Sequence, residues 1–254
     1  MSVKIISIAK KLPKYVKETK EIIPFVKQWM QDQESRFQRK VLKIFEGAGV
    51  DKRYSIMDAE EVFLNTSFEE KNNIYIKEVT KLAEQSLLKS LKKARLQPTD
   101  IDYIITVSCT GIMIPSMDAY LINSLQMRQD VVRLPVTEMG CVAGISGIIY
   151  AKNFLKSNPN KRAAVISVEA STATFQMEDY SMANIVSAAI FGDGAASVIL
   201  SSYKEDKGPI IKDESMYHFY NSIDIMGFKL VNTGLQMILD KKVPEIISNH
   251  FPKI

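Results

Sequence analysis

Apolar residues recur along this chain with two different rhythms, and the switch between them marks out the predicted elements. Val3 to Ala9 is a short strand-like run. Residues 18–31 suggest a helix interrupted near Pro24, and residues 34–46 an amphipathic helix. Ser67 stands three residues before Glu70, the spacing of a capping box. Ile76, Val79, Ala83, Leu87 and Leu91 then follow at helical spacing, with Pro98 as the predicted stop.

After Pro98 short apolar runs alternate with helical patterns. Strands are predicted at 103–109, 131–136, 163–169 and 195–202, and helices at 116–127, 142–155 and 184–190. This alternation predicts an α/β fold with a largely parallel sheet covered on both faces. The charged stretch Lys204 to Lys207 reads as a hinge, which divides the chain into residues 1–203 and the start of a second half at 204–254.

The net charge of +4 is too small an excess to predict a nucleic-acid or membrane partner, and it suits a small anionic ligand. The first residues place lysines after a short apolar run, the reverse of a signal peptide. No stretch approaches the ~20 apolar residues of a membrane span. The two cysteines, Cys109 and Cys141, have neither metal-type nor disulfide-framework spacing, so a reducing, cytoplasmic setting is expected.

The segment Val136 to Tyr150 carries the candidate chemistry. A strand runs in, Gly140 permits a tight turn, and an apolar helix runs out with Cys141 at its start. Free N–H groups and the macrodipole favour an anion there, which lowers a thiol's pKa and makes it a better nucleophile. Gly144 and Gly147 each cost the helix roughly 1 kcal/mol relative to alanine, which suggests that something approaches it closely. The apolar composition predicts a buried helix with the thiol at the base of a pocket; a structural buried cysteine is the alternative.

Arg36, Arg39 and Lys43 share one helix face, with Phe37, Val41 and Ile44 inward. Such a row suits a phosphate chain or is a solvated basic face. Gly192-Asp193-Gly194 lacks the lysine of a phosphate loop and reads as a tight turn after Phe191. Cys109, beside Thr110 and Gly111, is a second reactive thiol or a small wall residue; without the helix-start setting of Cys141, the wall is favoured.

Five segments in order resemble the chalcone and stilbene synthase family of type III polyketide synthases, nearest its bacterial members. They are Arg36 to Lys43, Ser108 to Pro115, Met139 to Gly147, Val168 to Phe175 and Phe191 to Ile199. The resemblance implies a thiolase-like fold, a layered αβαβα sandwich, with its N-terminal half complete here and its C-terminal half partial. It implies an acyltransferase that loads an acyl-coenzyme A starter on Cys141 and extends it by decarboxylative condensation with malonyl-coenzyme A. Phe191 is implied as a gate, with a second gate position near Met237. Arg36, Arg39 and Lys43 are implied to meet coenzyme A, and Cys109, Thr110, Ile114, Ser171, Thr174 and Gly227 to line the cavity. A homodimer is implied, with Ile114 reaching toward the partner's cavity. No metal or resident cofactor is implied, coenzyme A thioesters being substrates.

The family's mechanism also uses a histidine in a His-Pro-Gly-Gly setting and an asparagine. His218 and His250 do not stand in that setting, and no Gly-Phe-Gly-Pro-Gly loop is present. The expectation is therefore roughly the first two-thirds of a longer enzyme, without extension activity by itself. A ketoacyl-carrier-protein synthase III-like enzyme and a non-catalytic remnant of the fold are the alternatives.

Overall fold

The computed structural model describes residues 2–64 and 66–251. In chain order the first elements are β1 (Lys4–Lys11), β2 (Tyr15–Glu18), α1 (Thr19–Trp29), α2 (Ser35–Gly47), β3 (Lys52–Ser55), α3 (Ala59–Val62) and α4 (Phe68–Ala94). There follow β4 (Tyr103–Val107), α5 (Met117–Ser124), β5 (Val132–Val136), α6 (Ala143–Ser157), β6 (Arg162–Ala170), α7 (Met182–Ile190) and β7 (Asp193–Ser201). The hairpin β8 (Met226–Val231) and β9 (Gly234–Leu239) precedes α8 (Val243–His250).

These elements form two compact units, each assembled from separated stretches. One comprises Met1–Pro13, Tyr75–Glu169 and Gly194–Ser215; the other comprises Lys14–Ile74, Ala170–Asp193 and Met216–Ile254.

The first unit is built on a five-stranded sheet in the order β1-β7-β6-β4-β5. β4 pairs in parallel with both β5 and β6, Ile105 lying opposite Leu134 and Val165. β1 is antiparallel to β7, with Ile8 opposite Val198. All five residues of β4 are buried, so both faces of that strand are covered. On one face α6 packs against Ile105, Val107 and Val165, within a core that includes Tyr103, Ala151 and Leu155. A Cβ at Gly147 would sit 2.9 Å from Val165 Cγ1, so this glycine is what lets helix and sheet approach. The other face carries hydroxyls: Thr106 donates to Asp118 of α5 at 3.4 Å, and Ser197 of β7 to the Ser86 carbonyl of α4 at 2.7 Å.

In the second unit α1, α2 and α7 share a core of Val26, Trp29, Val41, Phe45, Ile185 and Ala189. Trp29 meets Phe175 edge-on at 5.0 Å between ring centres, and its Nε1–H donates to the Met177 carbonyl at 2.8 Å. Burial of each such large side chain contributes about 1.5–3 kcal/mol. β2 and β3 pair antiparallel, Tyr15 opposite Ser55.

Two boundaries differ from the sequence expectation. α1 continues through Pro24. Proline there lacks the N–H for one intrahelical bond, but it lies on the exposed side of the helix, while Val26 and Trp29 hold the buried side. α4 starts at the predicted box, with Glu70 N–H donating to Ser67 Oγ at 3.1 Å and Ser67 N–H to Glu70 at 2.9 Å. It ends before Pro98, because Arg95 turns into the left-handed region at φ 57°.

Candidate active site

Cys141 lies where the sheet hands over to α6. β5 ends at Val136, Gly140 adopts φ +61°, and Gly140–Val142 form a single 3-10 turn before Ala143 opens the helix. Among the described residues no side chain caps the turn or the helix start; the Ala143 N–H is closed by the Gly140 carbonyl, so the main-chain N–H groups of the turn that carries Cys141 are the ones that face an anion there. The thiol is free and exposed, which corrects the expectation of a sulfur at the base of a pocket. The reason is the facing of α6: Ala143, Ser146 and Gly147 turn to the sheet, while Val142 and Ile145 are 57% and 60% exposed. The apolar composition of this helix therefore does not imply burial all round.

Cys109 sits in a different environment. Its N–H and the Thr110 hydroxyl donate to Glu169 at the end of β6, at 3.1 Å and 2.7 Å. Ser108 joins this cluster and is itself bonded to Tyr75 at 2.6 Å. Burial, then the charge of Glu169 and its hydrogen bond to the thiol, push Cys109 up to about 12, with a further contribution from Cys141. Burial also raises the Glu169 carboxyl, against the hydrogen bonds from Thr110 and Cys109 that favour its charge. Glu169 escaped the sequence reading; its only signal is an acid closing the apolar run Val-Ile-Ser-Val. Ile114 is 91% exposed.

In the second unit a cavity of about 90 Å³ gathers Ser171, Thr174, Phe191 and Met237. Its remaining wall is largely apolar, with Ile22, Phe45, Phe63 and Phe175. Gly227, on β8, stands outside this lining. Arg53 reaches the cavity from β3, a residue the sequence reading did not single out. Its guanidinium lies over the Phe45 ring at 5.7 Å and donates to Thr19 Oγ1 at 2.9 Å and to the Ala189 carbonyl. Burial lowers its pKa.

Arg36, Arg39 and Lys43 project from the exposed face of α2 and line one shallow groove with Phe37 and Ile44. None of the three is ion-paired with a carboxylate among the described residues. Val41 and Phe45 on the opposite side anchor the helix. His218 is exposed, and His250 packs edge-on against Phe219 at 4.8 Å; both belong to the second unit, Cys141 to the first. No helix of the described residues is long and apolar enough to cross a membrane.

Residues 2–203 match the family model of the N-terminal domain of chalcone and stilbene synthases. Phloroglucinol synthase of Pseudomonas fluorescens is 30% identical over 203 residues, 80% of this chain and 58% of that protein. The 1,3,6,8-tetrahydroxynaphthalene synthase of Streptomyces coelicolor is 30% identical over 203 residues, 80% of this chain and 54% of that protein. The crystal structure of 1,3,6,8-tetrahydroxynaphthalene synthase from Streptomyces coelicolor, a bacterial type III polyketide synthase, matches with a TM-score of 0.92 at 26% identity. That match covers 98% of this chain and 71% of the crystallised one. The type III domain of Steely1 from Dictyostelium gives 0.90 at 25% identity, over 100% and 72% of the two chains. The α/β architecture is thus the thiolase-like fold of type III polyketide synthases, as the motifs predicted. The chain spans 58% and 54% of the two curated relatives' lengths.

Proposed function

The chain belongs to the chalcone and stilbene synthase family, and on that footing we propose that its protein is an acyltransferase of polyketide synthesis with Cys141 as acyl carrier. The observation that carries this is the setting of the Cys141 thiol, exposed on the turn that opens the uncapped start of α6.

The chemistry has two stages. The Cys141 thiolate attacks the carbonyl of an acyl-coenzyme A, forming an enzyme thioester and expelling the coenzyme A thiolate, which takes a proton. Malonyl-coenzyme A then loses carbon dioxide, and the resulting enolate attacks the enzyme thioester. A carbon–carbon bond forms, Cys141 leaves as thiolate, and the chain departs as a β-ketoacyl-coenzyme A.

The groove of Arg36, Arg39 and Lys43 supplies three unneutralised cations for the phosphates of coenzyme A. Ser171 and Thr174 supply small polar wall positions, and Phe191 an aromatic gate at the cavity they share. In the first unit Cys109 and Thr110, gathered on Glu169, are the wall positions that this reading assigns. The relatives named for phloroglucinol and tetrahydroxynaphthalene support a poly-β-keto intermediate that cyclises. A homodimer belongs to this reading, with the exposed Ile114 as a contact; light scattering that finds only monomer at micromolar concentration removes it.

The test uses the protein from the full reading frame. Malonyl-coenzyme A and an acyl-coenzyme A starter should give carbon dioxide and an extended product, both lost in Cys141→Ala. Extension supported only by malonyl-carrier protein replaces this reading with a ketoacyl synthase III-like one.

A further inference from the structure

Phe191 is followed by a residue whose bonds reach well beyond its own turn. Asp193 is 4% exposed, and its carboxylate accepts from Ile56 and Thr172, with the Ser171 main-chain N–H a further donor beside it. The Ile56 N–H, just past β3, donates to Oδ2 at 2.8 Å. The Thr172 N–H donates to Oδ1 at 3.0 Å, and the Thr172 hydroxyl donates to Oδ2. Thr172 lies in the short turn Ser171–Thr174, and Ser55 and Met57 flank Ile56. Ser171, Thr174, Ser55, Met57 and Phe191 all border the same cavity, as does Thr172, while Asp193 itself is not part of the lining.

Two further contacts fix the same turn. The Phe191 N–H donates to the Ser187 carbonyl at 2.9 Å, closing α7. Gly192 lies flat on β3, where a Cβ would come within 3.3 Å of the Tyr54 carbonyl oxygen. The backbone on either side of Phe191 is therefore held, before it by its own N–H on Ser187 and after it by Gly192 on Tyr54 and by the bonds of Asp193.

We propose that Asp193 is a positioning residue, a clamp that sets Phe191 at a fixed spacing from the cavity wall of Ser171 and Thr174. It rests on the reading of Phe191 as a gate only for its effect on turnover; the clamp is a matter of geometry. A carboxylate suits the task because the groups that face it are donors. An amide in its place loses at least one of the three bonds and points its own N–H at another donor. Among the described residues the group has no ion-pair partner, and its charge is met by main-chain N–H groups and one hydroxyl.

The test places 4-fluorophenylalanine at position 191 of the full-length protein and reads its fluorine resonance in Asp193→Asn and Thr172→Val. The core variant Ile185→Val serves as a control for general destabilisation. One sharp resonance is expected in the parent and in the control, with broadening or a second resonance in both clamp variants. Turnover of malonyl-coenzyme A should fall on the order of 10-fold in kcat for Asp193→Asn, with KM moved less. A folded Asp193→Asn that keeps the single sharp line overturns the clamp. If Asp193→Asn does not fold, an unchanged line in Thr172→Val overturns it instead. A changed line with unchanged kcat upholds the clamp and overturns the gate reading of Phe191.

Discussion

The N–H of Cys109 donates to both carboxylate oxygens of Glu169, at 3.1 Å each, and this anchors the chain's second thiol beside a buried acid. Burial and that charge push Cys109 up to about 12, whereas Cys141 stands exposed on its turn. Near neutral pH, iodoacetamide should alkylate Cys141 faster than Cys109 by on the order of 100-fold. Peptide mass spectrometry over a time course reads both sites. Equal, slow labelling would make Cys141 an ordinary structural cysteine.

Gly147 and Gly144 lie one turn apart on α6 and should respond oppositely to alanine. A Cβ at Gly147 meets Val165 at 2.9 Å and Ile105 and Val107 at 3.5 Å, so Gly147→Ala should destabilise by about 1–3 kcal/mol. At Gly144 the nearest atom is Ser167 Oγ at 3.8 Å, an ordinary contact. Gly144→Ala should stabilise by about 0.4–1 kcal/mol through the unfolded chain. Urea unfolding midpoints decide between these signs and a pair that moves together.

Asp193 should leave a mark on the pH dependence of stability. Burial raises its carboxyl from 3.8 to about 6, so between those values the native state holds a proton that the unfolded state has released. Its contribution to stability is therefore complete below 3.8 and is lost as pH rises through about 6. Compared with Asp193→Asn, the parent should gain in melting temperature as pH falls through that window. Parallel curves for the two proteins would rule the buried carboxyl out as the source.

The basic face of α2 offers three cations to a ligand carrying several phosphates. Replacing Arg36, Arg39 and Lys43 together by alanine should weaken coenzyme A binding on the order of 10- to 100-fold and flatten its salt dependence. Titration calorimetry at low and high salt checks both. Unchanged affinity returns this row to a merely solvated face.

The alternating elements between Tyr103 and Ser201 were legible because each apolar run matches one period, and the turn at Gly140 because glycine precedes the helical pattern. The β2–β3 pair was not legible: Tyr-Val-Lys-Glu and Lys-Arg-Tyr-Ser carry little apolar signal, and their pairing is settled by packing in the second unit. The hairpin of β8 and β9 and the short α3 and α8 were missed as well. In the candidate site, residue types were readable and environments were not. Glu169 takes its donor from Cys109, sixty residues away, and Asp193 takes one from Ile56, at a separation of 137. Local sequence shows only an acid at a strand end and an acid between glycines. The exposure of Cys141 was misjudged for a related reason, since apolar Val142 and Ile145 face away from the sheet.

The most direct test asks where an acyl group lands. The protein is incubated with an acyl-coenzyme A and digested, and the acylated peptide is identified by mass spectrometry. The account predicts a thioester on Cys141, none on Cys109, and none anywhere in Cys141→Ala. Acyl label on Cys109, label that persists in Cys141→Ala, or a bare Cys141 after full incubation would contradict it.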